Sequence, residues 1–110
     1  MLQIGFENHT GADLTFTVCG DVVGDNVREL IVRWNEYKLL RAGKILFVDV
    51  SGVDTIDLLS EAAICSLAAD GAHFLANGPT TGTIIDLVCK ANVEAFRTGR
   101  RDFRSIVICR

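Results

Sequence analysis

Polar and apolar residues alternate over 13–19, with Leu14, Phe16 and Val18 on one side and Thr15 and Thr17 on the other. A two-residue period in a stretch rich in β-branched and aromatic side chains predicts a strand with one buried and one wet face. Residues 2–6 predict a shorter strand before it, and Asn8 and Gly11 supply turn formers between the two, so the start of the chain reads as a β-hairpin. The period then changes. Val27, Leu30, Ile31 and Trp34 fall at i, i+3, i+4 and i+7, the stripe of a half-buried helix. Asn26 and Glu29 have capping-box spacing, Glu29 and Arg33 can pair one turn apart, and Gly43 is a natural stop.

Residues 45–50 (ILFVDV) form a nearly continuous apolar run, the signature of a central strand. A polar turn around Gly52 and the nearby aspartates follows, and a helix is expected over about 57–69. Residues 72–76 predict a weaker strand. Gly78 and Pro79 turn the chain, and Thr80 or Thr81 caps a third helix reaching about Ala91, with Ile84, Ile85, Leu87 and Val88 on its apolar side. Residues 105–109 suit an edge strand or pack elsewhere. The order predicts an α/β fold: a mixed four- to five-stranded sheet, right-handed crossovers, and helices mainly on one face.

The chain of 110 residues is long enough for one core, and with 49% hydrophobic residues and a single proline it is globular. A net charge of −3 argues against nucleic acid as a partner. The basic cluster of Arg97, Arg100, Arg101, Arg104 and Arg110 is interrupted by Asp102 and reads as a solvated or partner-facing edge. No apolar run is long enough to span a bilayer, and the first residues lack the pattern of a signal peptide, so a cytoplasmic protein is expected. Cys19, Cys65, Cys89 and Cys109 lack metal or redox spacing, and each lies in an apolar stretch, where cysteine is expected to act as a small buried hydrophobe. His9 and His73 are isolated. No nucleophile motif is visible, no activity or cofactor is expected, and the threonine-rich loop 78–83 lacks the lysine of a phosphate-binding loop. Asp49, Asp54 and Asp57 lack the further ligand that a metal cluster needs.

Three stretches, LTFTVCGDV (14–22), KILFVDVSGVDTID (44–57) and AHFLANGPTTGTIIDLV (72–88), resemble in order and spacing the STAS domain family. That family includes bacterial anti-sigma factor antagonists, signalling scaffolds and cytosolic domains of sulfate transporters. The resemblance is best over 14–93 and implies one STAS-like domain across 1–110, with 94–110 outside the well-matched part. Asp49-Val50-Ser51-Gly52-Val53 and Ile56-Asp57 follow the family's central pattern. In its signalling members the aspartate is followed by a serine, a small residue and a glycine. A partner kinase, itself the anti-sigma factor, phosphorylates that serine, and the added charge breaks the complex. Here the serine position is Leu58, the small residue Leu59 and the glycine Ser60, with Glu61 next. Leucine cannot be phosphorylated, so the usual switch is lost. Thr55 and Ser60, with Ser51 nearby, are the remaining hydroxyls, and Thr55, expected in a loop, is the better acceptor.

Asp57 is expected to cap the helix. Leu58, Ala62 and Cys65 share one helical face, which is either core or an apolar interface. The resemblance therefore implies a non-catalytic interaction module whose partner-binding surface comprises Gly52, Val53, Thr55, Asp57, Leu58, Ser60, Glu61, Ala62 and Cys65. Its partner would be an anti-sigma-factor-like or kinase-like protein. A transporter accessory subunit and a nucleotide or anion sensor, with a pocket shared by the 52–58 and 78–83 loops, are the alternatives, and self-association as a homodimer stays open.

Overall fold

The computed structural model describes residues 2–9, 13–41, 43–97 and 106–109. Hairpin turn residue Gly11 and Arg100, Arg101, Arg104 and Arg110 of the basic cluster lie outside them. The elements run β1 (Gln3–His9), β2 (Asp13–Val22), α1 (Asn26–Leu40), β3 (Phe47–Ile56), α2 (Leu58–Ala69), β4 (His73–Ala76), α3 (Thr81–Arg97) and β5 (Ile106–Cys109). The sheet order is β1-β2-β3-β4-β5. β1 pairs antiparallel with β2, and every other neighbouring pair is parallel. Each parallel step advances one strand in the same direction, so right-handed crossovers gather the three helices on one face.

Phe16, Val48, Phe74 and Val107 lie in register across four strands and point into that face. Over them, the Phe16 ring meets Phe6, Trp34 and Tyr37 at centroid distances of 5.8, 6.0 and 5.4 Å. Edge-on and tilted packing of this kind adds to the area that four rings bury. Tyr37 also satisfies backbone groups, its hydroxyl donating to Leu14 O (2.7 Å) and accepting from Phe47 N (3.1 Å). It thereby ties α1 to the starts of β2 and β3.

The alternation read in β2 is present, with Phe16 and Val18 buried in the core. The expected wet face is not uniformly wet. Thr15 and Asp49 on the helix-free face are buried, Thr15 lying in register beside the Phe47 ring, which stacks edge-on with His73. In α1 the predicted stripe is correct, and Tyr37 extends it. The capping box is not formed: Asn26 is already helical, and its side chain donates to Asp21 O. Arg33 pairs with Glu36 at 3.7 Å, not with Glu29. Arg41 ends the helix, and Gly43 follows with φ +77°, a conformation that suits glycine. The third helix runs six residues beyond the expected end, and Ile85 is on its exposed side. Residues 106–109 do form the edge strand.

The largest departure is in β3. The expected turn around Gly52 is strand as far as Ile56, because β2 continues alongside it to Val22. Two register shifts, between Thr17 and Cys19 and between Gly20 and Asp21, place extra residues in β3. Such bulges re-aim side chains. Here they turn Val53 inward and leave Asp54 and Thr55 exposed.

Candidate functional site

The carboxyl ends of β2, β3 and β4 face one pole of the molecule, where the turns into the three helices meet. A capping box starts α2. Asp57 has extended backbone, its Oδ1 accepts from Ser60 N (2.9 Å), and Ser60 Oγ accepts from Asp57 N (2.6 Å) while donating to Asp57 O (2.8 Å). Each side chain thus satisfies amides that the first helical turn leaves without partners. The other oxygen, Oδ2, accepts from Gly24 N at 2.9 Å, which fastens the β2–α1 turn to the start of α2. Hydrogen bonds from the Ser60 and Gly24 amides hold the Asp57 carboxyl below the usual carboxylate range. The Thr55 hydroxyl does the same for Asp21, its neighbour across the β2–β3 pair.

Two close approaches fix the surroundings. A Cβ on Gly52 would lie 2.7 Å from Cys19 Sγ, and one on Gly78 would overlap the Ser51 carbonyl oxygen. Both positions are glycine because a neighbouring strand or turn occupies the side-chain space. Thr80 Oγ1 donates to Val53 O at 3.3 Å, and the Thr81 hydroxyl closes its own turn with Gly78 N (2.8 Å) and Gly78 O (2.9 Å). The β4–α3 turn therefore packs directly on β3.

Among the residues expected at a partner surface, Leu58 is 83% exposed. Gly52, Thr55 and Ala62 are exposed too, while Asp57, Glu61 and Cys65 are half-buried. Two expectations are corrected. Val53 is a core residue, and Ser60 is fully buried with its hydroxyl committed to the cap. Ser60 thus offers no accessible acceptor oxygen in this fold. Thr55 is exposed, but it stands in β3 with its hydroxyl on Asp21 and not in a loop. The Leu58–Ala62–Cys65 strip is open at its N-terminal end and closes towards Cys65, whose thiol lies 3.8 Å from Leu87 O and is pushed up by burial.

Leu59 was not among the expected surface residues, yet it is 60% exposed beside Leu58. Two leucines in the first turn of a helix, where one stripe normally faces the core, were the available signal. Asp21 and Gly24 were also missed, because they join the site through pairing distant in sequence. The cysteine expectation fails for Cys89, which is exposed on α3, whereas Cys19 and Cys65 are half-buried. No group of three or more His, Cys, Asp or Glu side chains among the described residues is placed to hold a metal ion. Among them, no helix is long and apolar enough to cross a membrane.

No family model and no curated protein matches the sequence. Among solved structures the chain is similar to an uncharacterized protein of the DUF3478 family from Shewanella loihica, described as having a SpoIIAA-like fold. The similarity covers 97% of this chain and 84% of that one at 12% identity, with a TM-score of 0.52. At that identity it speaks for architecture alone. The five-stranded mixed sheet, its sequential strand order and the three helices on one face agree with it: the chain has the SpoIIAA-like fold of the STAS domains.

Proposed function

We propose that this protein is a non-catalytic binding module that docks a protein partner at the β3–α2 pole, in the manner of an anti-sigma factor antagonist but without the phospho-serine. One observation carries the proposal: Leu58 and Leu59 stand 83% and 60% exposed on a helix start whose own capping needs are already met. Two large aliphatic side chains in water at a rigid position are unfavourable for an isolated chain and suited to anchoring in a partner's apolar pocket. Asp57 and Glu61 flank the two leucines in sequence, and Asp21 and Asp54 lie in the paired ends of β2 and β3 that lead into this helix start, so a partner with a cationic rim fits best. With leucine in place of serine, the interface is permanently competent and is controlled by the amount or state of the partner.

Site-specific photo-cross-linking tests this in cells. A benzophenone side chain at position 58 should yield one dominant protein adduct, and the same probe at the outer α1 position 32 should yield none. Equal adduct patterns at both positions, or none at 58, would sink the proposal.

A further inference from the structure

β1 forms one edge of the sheet, with β2 on its inner side only. It is 7 residues long, against 4 for β5 at the other edge. Its register with β2 runs unbroken from Gln3 to His9, and the strand holds no proline, lysine or bulge. Such features usually stop an edge from taking up a further strand. On the helix-covered face, Phe6 is the outermost ring of the aromatic stack. It lies 5.9 Å from Tyr37 and 5.8 Å from Phe16, yet stays 39% exposed.

On the helix-free face the unexpected residue is Gly5. Glycine weakens a strand interior and normally marks a positive φ, a bulge or a close approach. None of these holds here. Gly5 has no positive φ, it pairs with Thr17 in regular register, and a Cβ on it would meet nothing within 4 Å among the described residues. A recess of about 280 Å³ opens there instead, lined by Gln3, Ile4, Gly5, Phe6, Thr17 and Cys19. The Thr17 hydroxyl, across from Gly5, is buried and has no hydrogen-bond partner among the described residues. Buried polar groups are rarely left so. An open glycine and an orphan hydroxyl in one row mark a place that something outside the chain fills.

We propose that the occupant is a second copy of this chain, which adds its β1 antiparallel to this one about a two-fold axis through Phe6. Phe6 is the midpoint of β1, so this register alone pairs all 7 residues. It sets Phe6 against Phe6, Ile4 against Asn8, Gly5 against Glu7 and Gln3 against His9. Glu7, the one acidic residue of the strand, then falls opposite the open glycine position and not opposite its own copy. A slip towards the carboxyl end sets Glu7 against Glu7, and a slip either way shortens the ladder. The two exposed rings become a cross-strand aromatic pair that closes both stacks. The strand is thus complementary to itself about this axis, the condition for a two-fold interface. The inference is independent of the proposed function, because β1 takes no part in the β3–α2 pole.

Sedimentation velocity of the full-length chain over a range of concentrations tests it. Wild type should pass from monomer to dimer as concentration rises. Gly5→Glu sets like charges opposite each other on both sides of the axis and should raise the dissociation constant about tenfold or more. Gly5→Lys faces the same glutamates with the opposite sign and should dimerise at least as tightly as wild type. The double variant Gly5→Glu/Glu7→Lys exchanges the charges and should recover the dimer. Leu58→Glu, at the other docking surface, should dimerise as wild type, and circular dichroism should show every variant folded. A wild-type monomer at every concentration would overturn the inference, including one whose β1 takes a strand from another protein. So would a dimer that Gly5→Glu leaves intact, one that Gly5→Lys weakens as much as Gly5→Glu, or one that Leu58→Glu dissociates.

Discussion

The carboxylate of Asp57 lies 2.9 Å from the backbone N–H of Gly24, thirty-three residues earlier in the chain. The same carboxylate caps α2 through Ser60 N, so one side chain holds together the two turns that leave β2 and β3. The leucines of the next helical turn are consequently presented from a fixed base. A surface that must bind without rearranging gains from this arrangement, since less freedom is lost when the partner docks.

That double acceptance makes the pole sensitive to acid. The folded-state pKa of Asp57 is lowered, so its stabilising contribution is complete above the ordinary aspartate range. It is lost as pH falls through the depressed folded value. Asp57→Ala should therefore destabilise the protein at neutral pH and flatten the fall in stability below about pH 4. Asp57→Asn should lie between, because one amide oxygen can cap α2 or hold Gly24 but lacks the second carboxylate oxygen. Urea unfolding at pH 7 and pH 3 measures both effects. Equal slopes with pH in wild type and Asp57→Ala would remove Asp57 from the acid response.

Ser60 should behave as a structural residue. Its hydroxyl exchanges hydrogen bonds with the Asp57 backbone inside a fully buried site. Ser60→Ala should cost about 1–2 kcal/mol, a loss of several degrees in Tm for a domain of this size. Ser60→Glu, which places a larger charged group in the same space, should cost more. Full stability of Ser60→Glu would mean that the first turn of α2 opens easily, and residue 60 would return as an acceptor site.

How far the sequence discloses the architecture depends on the range of the interactions involved. The strand alternation at Leu14–Val18 and the α1 stripe at Leu30 and Trp34 were legible because those periods are local consequences of burying one face. The role of Asp57 was legible too, since an aspartate before a helix has a local reason to be there. The path of β3 beyond Val50 was not. Residues 51–56 contain a glycine and polar side chains that favour a turn when read alone, and pairing with Cys19, Gly20, Asp21 and Val22 holds them extended. Several errors at the site follow from that pairing: Val53 turned inward, Thr55 placed in a strand, and Asp21 brought alongside Thr55 from the end of β2. The burial of Ser60 has a different cause, its commitment to the α2 capping box. The exposure of Leu58 and Leu59 was half legible, because their odd chemistry was visible but the direction of the helix was not.

Gly52 tests the β2–β3 approach directly. Its Cβ position lies 2.7 Å from Cys19 Sγ and 3.2 Å from Cys19 Cβ. Gly52→Ala should cost about 1–3 kcal/mol as an overpacking change. Combining it with Cys19→Ala should return part of that loss, because the sulfur leaves while the Cys19 β-carbon stays. A coupling of at least about 0.5 kcal/mol in the double-mutant cycle is expected for side chains this close. Strict additivity would show that β3 shifts away freely and that its register with β2 is loosely held.

Leu58→Glu separates surface from scaffold. The wild-type side chain is 83% exposed, so little packing is lost on substitution. A carboxylate in the first turn gains from the helix dipole but meets Asp57 and Glu61, and these effects oppose each other. The net change in stability should stay within about 0.5 kcal/mol, as for ordinary surface positions. Binding should respond differently. Replacing a buried aliphatic anchor with a charge at a partner's apolar pocket should cost about 2 kcal/mol or more, roughly a thirtyfold loss in affinity for the protein captured by cross-linking. If stability falls by as much as affinity, Leu58 acts through the fold. If neither changes, the docking surface lies elsewhere on the molecule. Only the combination of an unmoved Tm and a weakened complex fits a side chain that the capped helix holds out for a partner.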